Sequence, residues 1–371
     1  KWPNPEAMNR SAPGSLRPPA RSVPWGRLCH AAVINQKGHC HTWLLPSVRK
    51  RGIISENSRQ LRGCAMTKPY TEMDLITFQR RFGTEKACRK RLFRLRWPDG
   101  FRCPRCDCHE AYYLEKRMLY QCAKCKLQTS LTAGTVMHRT RTPLVKWFWA
   151  IFLVSTDKRG LSALALSRKI DIGLKCAWTM LHKIRKAMEA RDAEYQLAGL
   201  IQVDDAFFKG GVNNGGDKRG RGTSKVPVLV MAAVKDEALT FAKMEVLETV
   251  DTASVKAAIG RHVADSQTIK TDGLPVFNGL EQMGHEHAPE VVYPKKGEPK
   301  FDVLKWVNIL VSNAKAFILG TYHGVMKKHL QRYLDEYCYR FNRRFWPGQV
   351  FDRLLRACAG SATVTYAELR G

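Results

Sequence analysis

Two Cys-x2-Cys pairs, Cys103/Cys106 and Cys122/Cys125, stand fifteen residues apart in this chain. Each pair can turn two thiolates onto one ion, and the segment between them is long enough for a hairpin. The spacing therefore dictates a local fold on its own: a zinc ribbon, tetrahedral and closed, with Zn²⁺ as a structural ion. Pro104 shapes the first knuckle, and Cys108 and His109 are spare donors near enough to substitute at one position. In so small a module the ion supplies folding free energy on the order of 10 kcal/mol. The twelve cysteines of the 371-residue chain do not read as a secreted disulfide framework, so a reducing, cytoplasmic compartment is expected.

Charge is the next constraint. The chain holds 62 Lys+Arg against 33 Asp+Glu, a formal net charge of +29. Such an excess points to a polyanionic partner, most commonly nucleic acid, although a basic surface can also serve solubility alone. Hydrophobic content of 44% and charged content of 26% exclude wholesale disorder. The longest apolar candidate, PLVKWFWAIFLVST, carries a lysine and falls short of the roughly 18 residues a membrane span needs. Length allows two or three domains.

Residues 1–65 differ from everything after them. They are rich in Pro, Arg and Ser and hold 11 Lys+Arg against two acids, Glu6 and Glu56. A disordered basic arm on DNA and a transit peptide both fit that composition. A non-native upstream segment, with the protein proper starting at Met66, fits it best. Residues 66–140 are expected to form a basic helix plus the ribbon, with Phe78, Phe82, Leu92 and Leu95 buried. Residues 141–198 read as helical and DNA-binding: PLVKWFWAIFLVST, then LSALALSRKI, a break at DIG, and a helix with Leu174, Ala177, Leu181 and Ile184 inward. This suits a helix-turn-helix whose second helix presents Lys175, Lys183, Arg185 and Lys186 to a major groove, though short-turn helix pairs are common in any α domain.

From about residue 199 the period changes. IQVDDAFF, VPVLVMAAV, FAKMEVL and TIKTD read as strands, with a helix over TASVKAAIGRHV between the third and fourth. VLKWVNILVSNAKAFIL reads as a long helix ended by Gly320, and HLQRYLDEYCYRFNRRF as another. The Gly-rich basic stretch 209–225 reads as a loop between the first two strands. Asp204 lies in the first strand and Asp272 closes the fourth. Strand ends brought together this way can hold two Mg²⁺ ions for phosphodiester chemistry, although most acids at strand ends are only solvated. Asp205 would point to the opposite face, and Asp265 to solvent. Asn308 offers a neutral oxygen from the long helix, and Lys315, two turns on, shares its face and suits a DNA phosphate.

With VDDAFFKGG, TDG and NILVSNAKAFILGTYHGVMKKHLQRYLDEYCYRFNRR together, residues 70–357 resemble bacterial insertion-sequence transposases of the ISXO-two-like family. The resemblance implies an α/β fold: an RNase H-like catalytic domain over 199–371, preceded by a zinc ribbon and a helix-turn-helix-like domain. It implies metal-dependent cleavage and strand transfer at terminal inverted repeats, with double-stranded DNA as transposon ends and target, and a homo-oligomer pairing two ends. The family's first and second acids fall on Asp204 and Asp272, its third position on Asn308 and its basic partner on Lys315. DDE enzymes usually carry an acid where this chain has Asn308; some family members have Asn or His there. An amide binds Mg²⁺ more weakly than a carboxylate, which implies heavier reliance on Mn²⁺. Arg340, Arg343 and Arg344 either track the DNA backbone or form a solvated basic face. The competing readings are a non-catalytic zinc-ribbon/helix-turn-helix DNA-binding protein and an inactive transposase relic.

Overall fold

The computed structural model describes residues 73–210, 225–291 and 304–371, with the backbone of a short strand β1 (Val33–Asn35) that pairs with residues 195–197. The rest of 1–65, and the loop 209–225 apart from its ends, lie outside the described residues.

The N-terminal elements follow their local signals. Helix α1 (Leu75–Phe82) starts where Asp74 accepts the Thr77 N–H, and α2 (Glu85–Arg96) where Thr84 accepts the Ala87 N–H. Strands β2 (Ala111–Leu114), β3 (Leu119–Cys122) and β4 (Gln128–Ser130) form a three-stranded antiparallel sheet in that order. Three helices follow: α3 (Leu144–Thr156), α4 (Ala163–Ile170) and the 19-residue α5 (Leu174–Asp192). Phe78, Phe82 and Leu92 are buried as expected, whereas Leu174 is 54% exposed because α5 only begins there.

The second half is built on β5 (Tyr195–Leu197), β6 (Leu200–Phe208), β7 (Val226–Lys235), β8 (Ala238–Val246), α6 (Thr252–His262), β9 (Thr268–Thr271), β10 (Glu286–Pro289), α7 (Lys305–Tyr322), α8 (Lys327–Phe341), α9 (Val350–Gly360) and α10 (Tyr366–Arg370). The five-stranded sheet runs β10-β9-β6-β7-β8, with β6, β7 and β8 an antiparallel meander and β9 and β10 parallel additions beside β6. Numbered within the sheet, that order is 3-2-1-4-5, an RNase H-like sheet. Strand alternation sorts the core. Ala206 and Phe208 of β6 face α7 and α8, while Ile201 and Val203 face α6.

Three elements depart from expectation. Helix α7 does not stop at Gly320; it runs on to Tyr322 and ends where His323 (φ 54°) and Gly324 (φ 118°) turn left-handed. One helical Gly costs about 1 kcal/mol, less than the burial of Ile318 just before it provides. Strand β10 was not anticipated, since Glu-His-Ala-Pro has no strand period. Nor was α9, which leaves the sheet and returns to the N-terminal helices.

That return closes the first core. Phe351 of α9 sits 5.5 Å from both Phe78 and Phe82, and Phe78 stacks on Phe152 at 4.3 Å. Asp352 pairs with Arg91 of α2 at 2.6 Å. Phe351→Ala removes the ring at the centre of this cluster and is expected to cost about 3–5 kcal/mol. Urea denaturation checks it, and a midpoint equal to the parent's would contradict a shared core.

Candidate functional site

The four paired cysteines converge. The Sγ atoms of Cys103, Cys106, Cys122 and Cys125 all lie within 4.8 Å of one another. The pairs Cys103–Cys125 and Cys106–Cys122 are each 3.5 Å apart, close to the ~3.8 Å edge of a tetrahedron with ~2.3 Å Zn–S bonds. The two knuckles are built alike. Cys103 N–H donates to Cys108 O and Asp107 N–H to Cys103 O; Cys122 N–H donates to Leu127 O and Lys126 N–H to Cys122 O. Both turns close on a left-handed residue, Asp107 (φ 55°) and Lys126 (φ 57°). The Cys125 N–H donates to Cys122 Sγ and draws that thiol down to about 6, toward the thiolate a metal needs. Cys108 donates instead to Glu110 O, and neither it nor His109 enters the cluster. The donor chemistry and spacing fit a tetrahedral ion.

On the sheet, two acids follow the end of a parallel ladder. Parallel β6 and β9 pair Leu200 with Thr268, Ile201 with Ile269 and Gln202 with Lys270. Two residues past that last pair stand Asp204, still within β6, and Asp272, in the turn that follows β9. Asp204 shares the α7 side of β6 with Gln202, Ala206 and Phe208, and its Oδ1 accepts the Asp205 N–H at 2.8 Å. Asp205 alternates to the α6 side, as expected.

The turn that carries Asp272 is held from behind. Glu281 Oε1 lies 3.1 Å from His287 Nδ1, and His287 Nε2 lies 2.9 Å from Thr271 Oγ1. Thr271 Oγ1 accepts the Gly273 N–H and Asp272 Oδ1 accepts the Leu274 N–H. A carboxylate at Nδ1 selects the imidazole with its proton there, leaving Nε2 to accept from the Thr271 hydroxyl. Gly273 has φ 78°, and a Cβ on it would collide with Val291 Cγ2. The T-D-G sequence thus has a role for each residue.

Helix α7 lies over the same face. Its Trp306 N–H donates to Gln202 Oε1 at 3.1 Å, and the Lys315 ammonium sits 5.4 Å from the Phe208 ring centroid. Helix and strand therefore run alongside in the same direction. Asn308 is exposed and lies two residues past Trp306 near the start of α7. Partial burial and the Lys225 charge lower the Lys315 ammonium from its ordinary value. Neither Gln202 nor the Glu281–His287–Thr271 chain was found from sequence; an uncharged Gln inside a strand was the only signal for the first.

Several basic residues expected at DNA are structural instead. Arg185 is 2% exposed and pairs with Glu336 at 2.7 Å, because α5 is packed against α8 and α9 and turns this side chain inward. Arg343 pairs with buried Asp192 at 2.7 Å, Arg340 bonds Glu336 and the Asp157 carbonyl, and Arg344 bonds the Thr240 carbonyl. None of the three forms a solvated basic face. Lys186 pairs with Glu189, and Lys175 is exposed but lies 4.6 Å over the Tyr366 ring.

Residues 196–342 match the ISXO2-like transposase domain, and residues 83–128 match the transposase zinc-ribbon domain. The chain belongs to the ISXO2-like transposase family. An uncharacterized protein in transposable element ISH50 of Halobacterium salinarum is 24% identical over 68% of this chain and 89% of its own length. Among solved structures, a pre-cleavage Mos1 transpososome and a Mos1 strand transfer complex are similar at 12% and 14% identity. Each alignment covers 58% of this chain and 78% of that chain, with a TM-score of 0.25. The knuckles of this transposase lie in its zinc-ribbon match and Asp204, Asp272, Asn308 and Lys315 in its transposase-domain match. No described helix is long and apolar enough to cross a membrane.

Purified protein is expected to carry about one zinc per chain, and Cys122→Ser to lose it. Elemental analysis with amide exchange over residues 101–130 checks this; unchanged metal content in the variant would rule out a four-thiolate site.

Proposed function

We propose that this transposase cuts DNA at the terminal inverted repeats of an insertion sequence and joins the freed ends to target DNA, using divalent metal held by Asp204, Asp272 and Asn308. The observation that supports this reading is the parallel register of β6 and β9, whose last pair, Gln202 with Lys270, stands two residues before Asp204 in β6 and Asp272 in the turn after β9. Two carboxylates and a carboxamide are hard oxygen donors, the set that Mg²⁺ and Mn²⁺ accept. When bound, such cations neutralise charge at the scissile phosphate and activate water.

The chain's own residues then do the rest. Asp204 presents carboxylate oxygens from β6 and Asp272 from the turn after β9, and Asn308 adds an oxygen without adding charge. Lys315 contributes a cation for a neighbouring phosphate. Water adds to phosphorus in line as the 3′ oxygen leaves, and the released 3′-OH repeats the displacement on target DNA, so no protein–DNA bond forms. Residues 66–140 and 141–198 hold the transposon ends, acting as a homo-oligomer in the cytoplasm. Lys86, Lys90 and Arg94 are exposed at four-residue spacing along α2 and present one stripe of cations to the DNA backbone.

Incubation of the protein with its element's terminal repeats and Mg²⁺ or Mn²⁺ is expected to give cleavage and strand transfer, with more product in Mn²⁺. Asp204→Ala and Asp272→Ala are expected to reduce both to background while keeping repeat binding. Repeat binding with no cleavage in either metal would leave a DNA-binding protein and overturn the catalytic reading.

Neutralising Lys86, Lys90 and Arg94 together to Gln is expected to weaken DNA binding and lower the slope of log K against log salt by about 2–3. An unchanged slope, measured by fluorescence anisotropy across salt, would remove the stripe from the interface.

A further inference from the structure

We propose that Gln202 is a positioning residue for this centre: its carboxamide sets the helical register of α7 on β6 and so places Asn308 against Asp204. The inference rests on the metal-centre reading above. Gln202 is polar yet only 7% exposed, and its Oε1 accepts the Trp306 N–H at 3.1 Å. That N–H belongs to the first turn of α7, where no intrahelical acceptor exists. Leu304, at the N-cap, provides no side-chain bond, so the acceptor comes from another element altogether.

The consequence is geometric. Gln202 and Asp204 are two residues apart on one strand and share a face; Trp306 and Asn308 are two apart at the start of one helix. One hydrogen bond therefore ties the carrier of the first donor to the carrier of the third. The apolar contacts of Val307, Leu310 and Ala314 fix which side of α7 meets the sheet but bind no particular atom at its N-terminus. A directional bond does. A slip of one residue would turn Asn308 by about 100° and move it about 1.5 Å, enough to withdraw its oxygen from a cation with ~2.1 Å ligand distances.

The test uses the full chain. In the parent protein, amide exchange is expected to show the Trp306 N–H protected although it lies in a first helical turn. Gln202→Met keeps the volume and removes the acceptor; exchange at Trp306 should rise about 3- to 10-fold, the worth of one ordinary hydrogen bond. Mn²⁺ binding, read by calorimetry without DNA, should weaken in Gln202→Met by a similar factor, with little change in melting temperature. Gln202→Glu keeps an acceptor oxygen and should retain Trp306 protection. An unprotected Trp306 amide in the parent would overturn the proposal even if Gln202→Met fails to fold. So would Gln202→Met with parental exchange and parental Mn²⁺ affinity. Failure of the catalytic reading would look different: no cleavage by the parent in any metal, with Trp306 still protected through Gln202.

Discussion

The buried ion pair between Arg185 and Glu336 fixes how α5 of the N-terminal helices sits on α8 of the second half. Each side chain is 2% exposed, and Arg185 Nε donates to Glu336 Oε2 at 2.7 Å. Burial alone would raise the Glu336 carboxyl, but the charges of Arg185 and Arg340 outweigh it and hold the group below its ordinary value. Tyr333 stacks under the guanidinium, 3.9 Å from its ring centroid, and the Tyr322 hydroxyl also lies within 3.4 Å of Glu336. Such a pair adds little net stability, because desolvation consumes most of the attraction. What it adds is geometry: α5 cannot slide on α8 without stranding a charge.

From that contact the constraint spreads to both ends of α7. Tyr322 closes the helix; its hydroxyl accepts from Arg185 and from the Leu161 N–H, which ties the end of α7 to the turn before α4. At the other end the Trp306 N–H is held by Gln202 of the central strand. A second polar cluster repeats the arrangement nearer the sheet. Asp192 ends α5 and pairs with Arg343, while Asn342 bonds both the N–H and the carbonyl of Ala242 in β8. The helix that carries Asn308 and Lys315 is thus fixed at both termini, and the N-terminal helices are fixed to the same frame.

Features set by neighbours in the chain were legible in the sequence. Four cysteines at knuckle spacing need only their own turns, and they converge as their spacing implies. Strands β6, β7, β8 and β9 announced themselves by apolar, β-branched runs, and Asp204 and Asp272 by their place within or just past them. Features set by distant partners were not legible. Helix α9 is apolar on one face like many helices, and nothing local says that Phe351 completes a cluster begun by Phe78. Strand β10 exists because β9 offers it an open edge, and its His287 gains meaning only beside Thr271. Arg185 looked like a groove-facing cation because its helix is basic; its true partner lies 151 residues away in α8.

The misreading of Arg185 bears on the whole charge argument. A net charge of +29 suggests a broad basic surface, yet many cations are spent inside the fold. Arg96 bonds the carbonyls of Ser130 and Leu131, Arg332 those of Glu368 and Leu369, Arg344 those of Thr240 and Phe341, and Lys243 that of Asp192. These carbonyls lie at strand and helix ends or, for Thr240, at the bulge in β8, where backbone acceptors lack ladder partners, and a long basic side chain satisfies them at a distance. An acid cannot do this, so part of the basic excess is structural. Charge count therefore overstates the electrostatic footprint, and what remains for a polyanion is the subset left at the surface. On α2 that subset is a regular stripe, Lys86, Lys90 and Arg94, on a helix packed between the ribbon and the cluster around Phe351. Order in the exposed cations, rather than their number, is what distinguishes a surface built for a phosphate backbone from one that is merely basic.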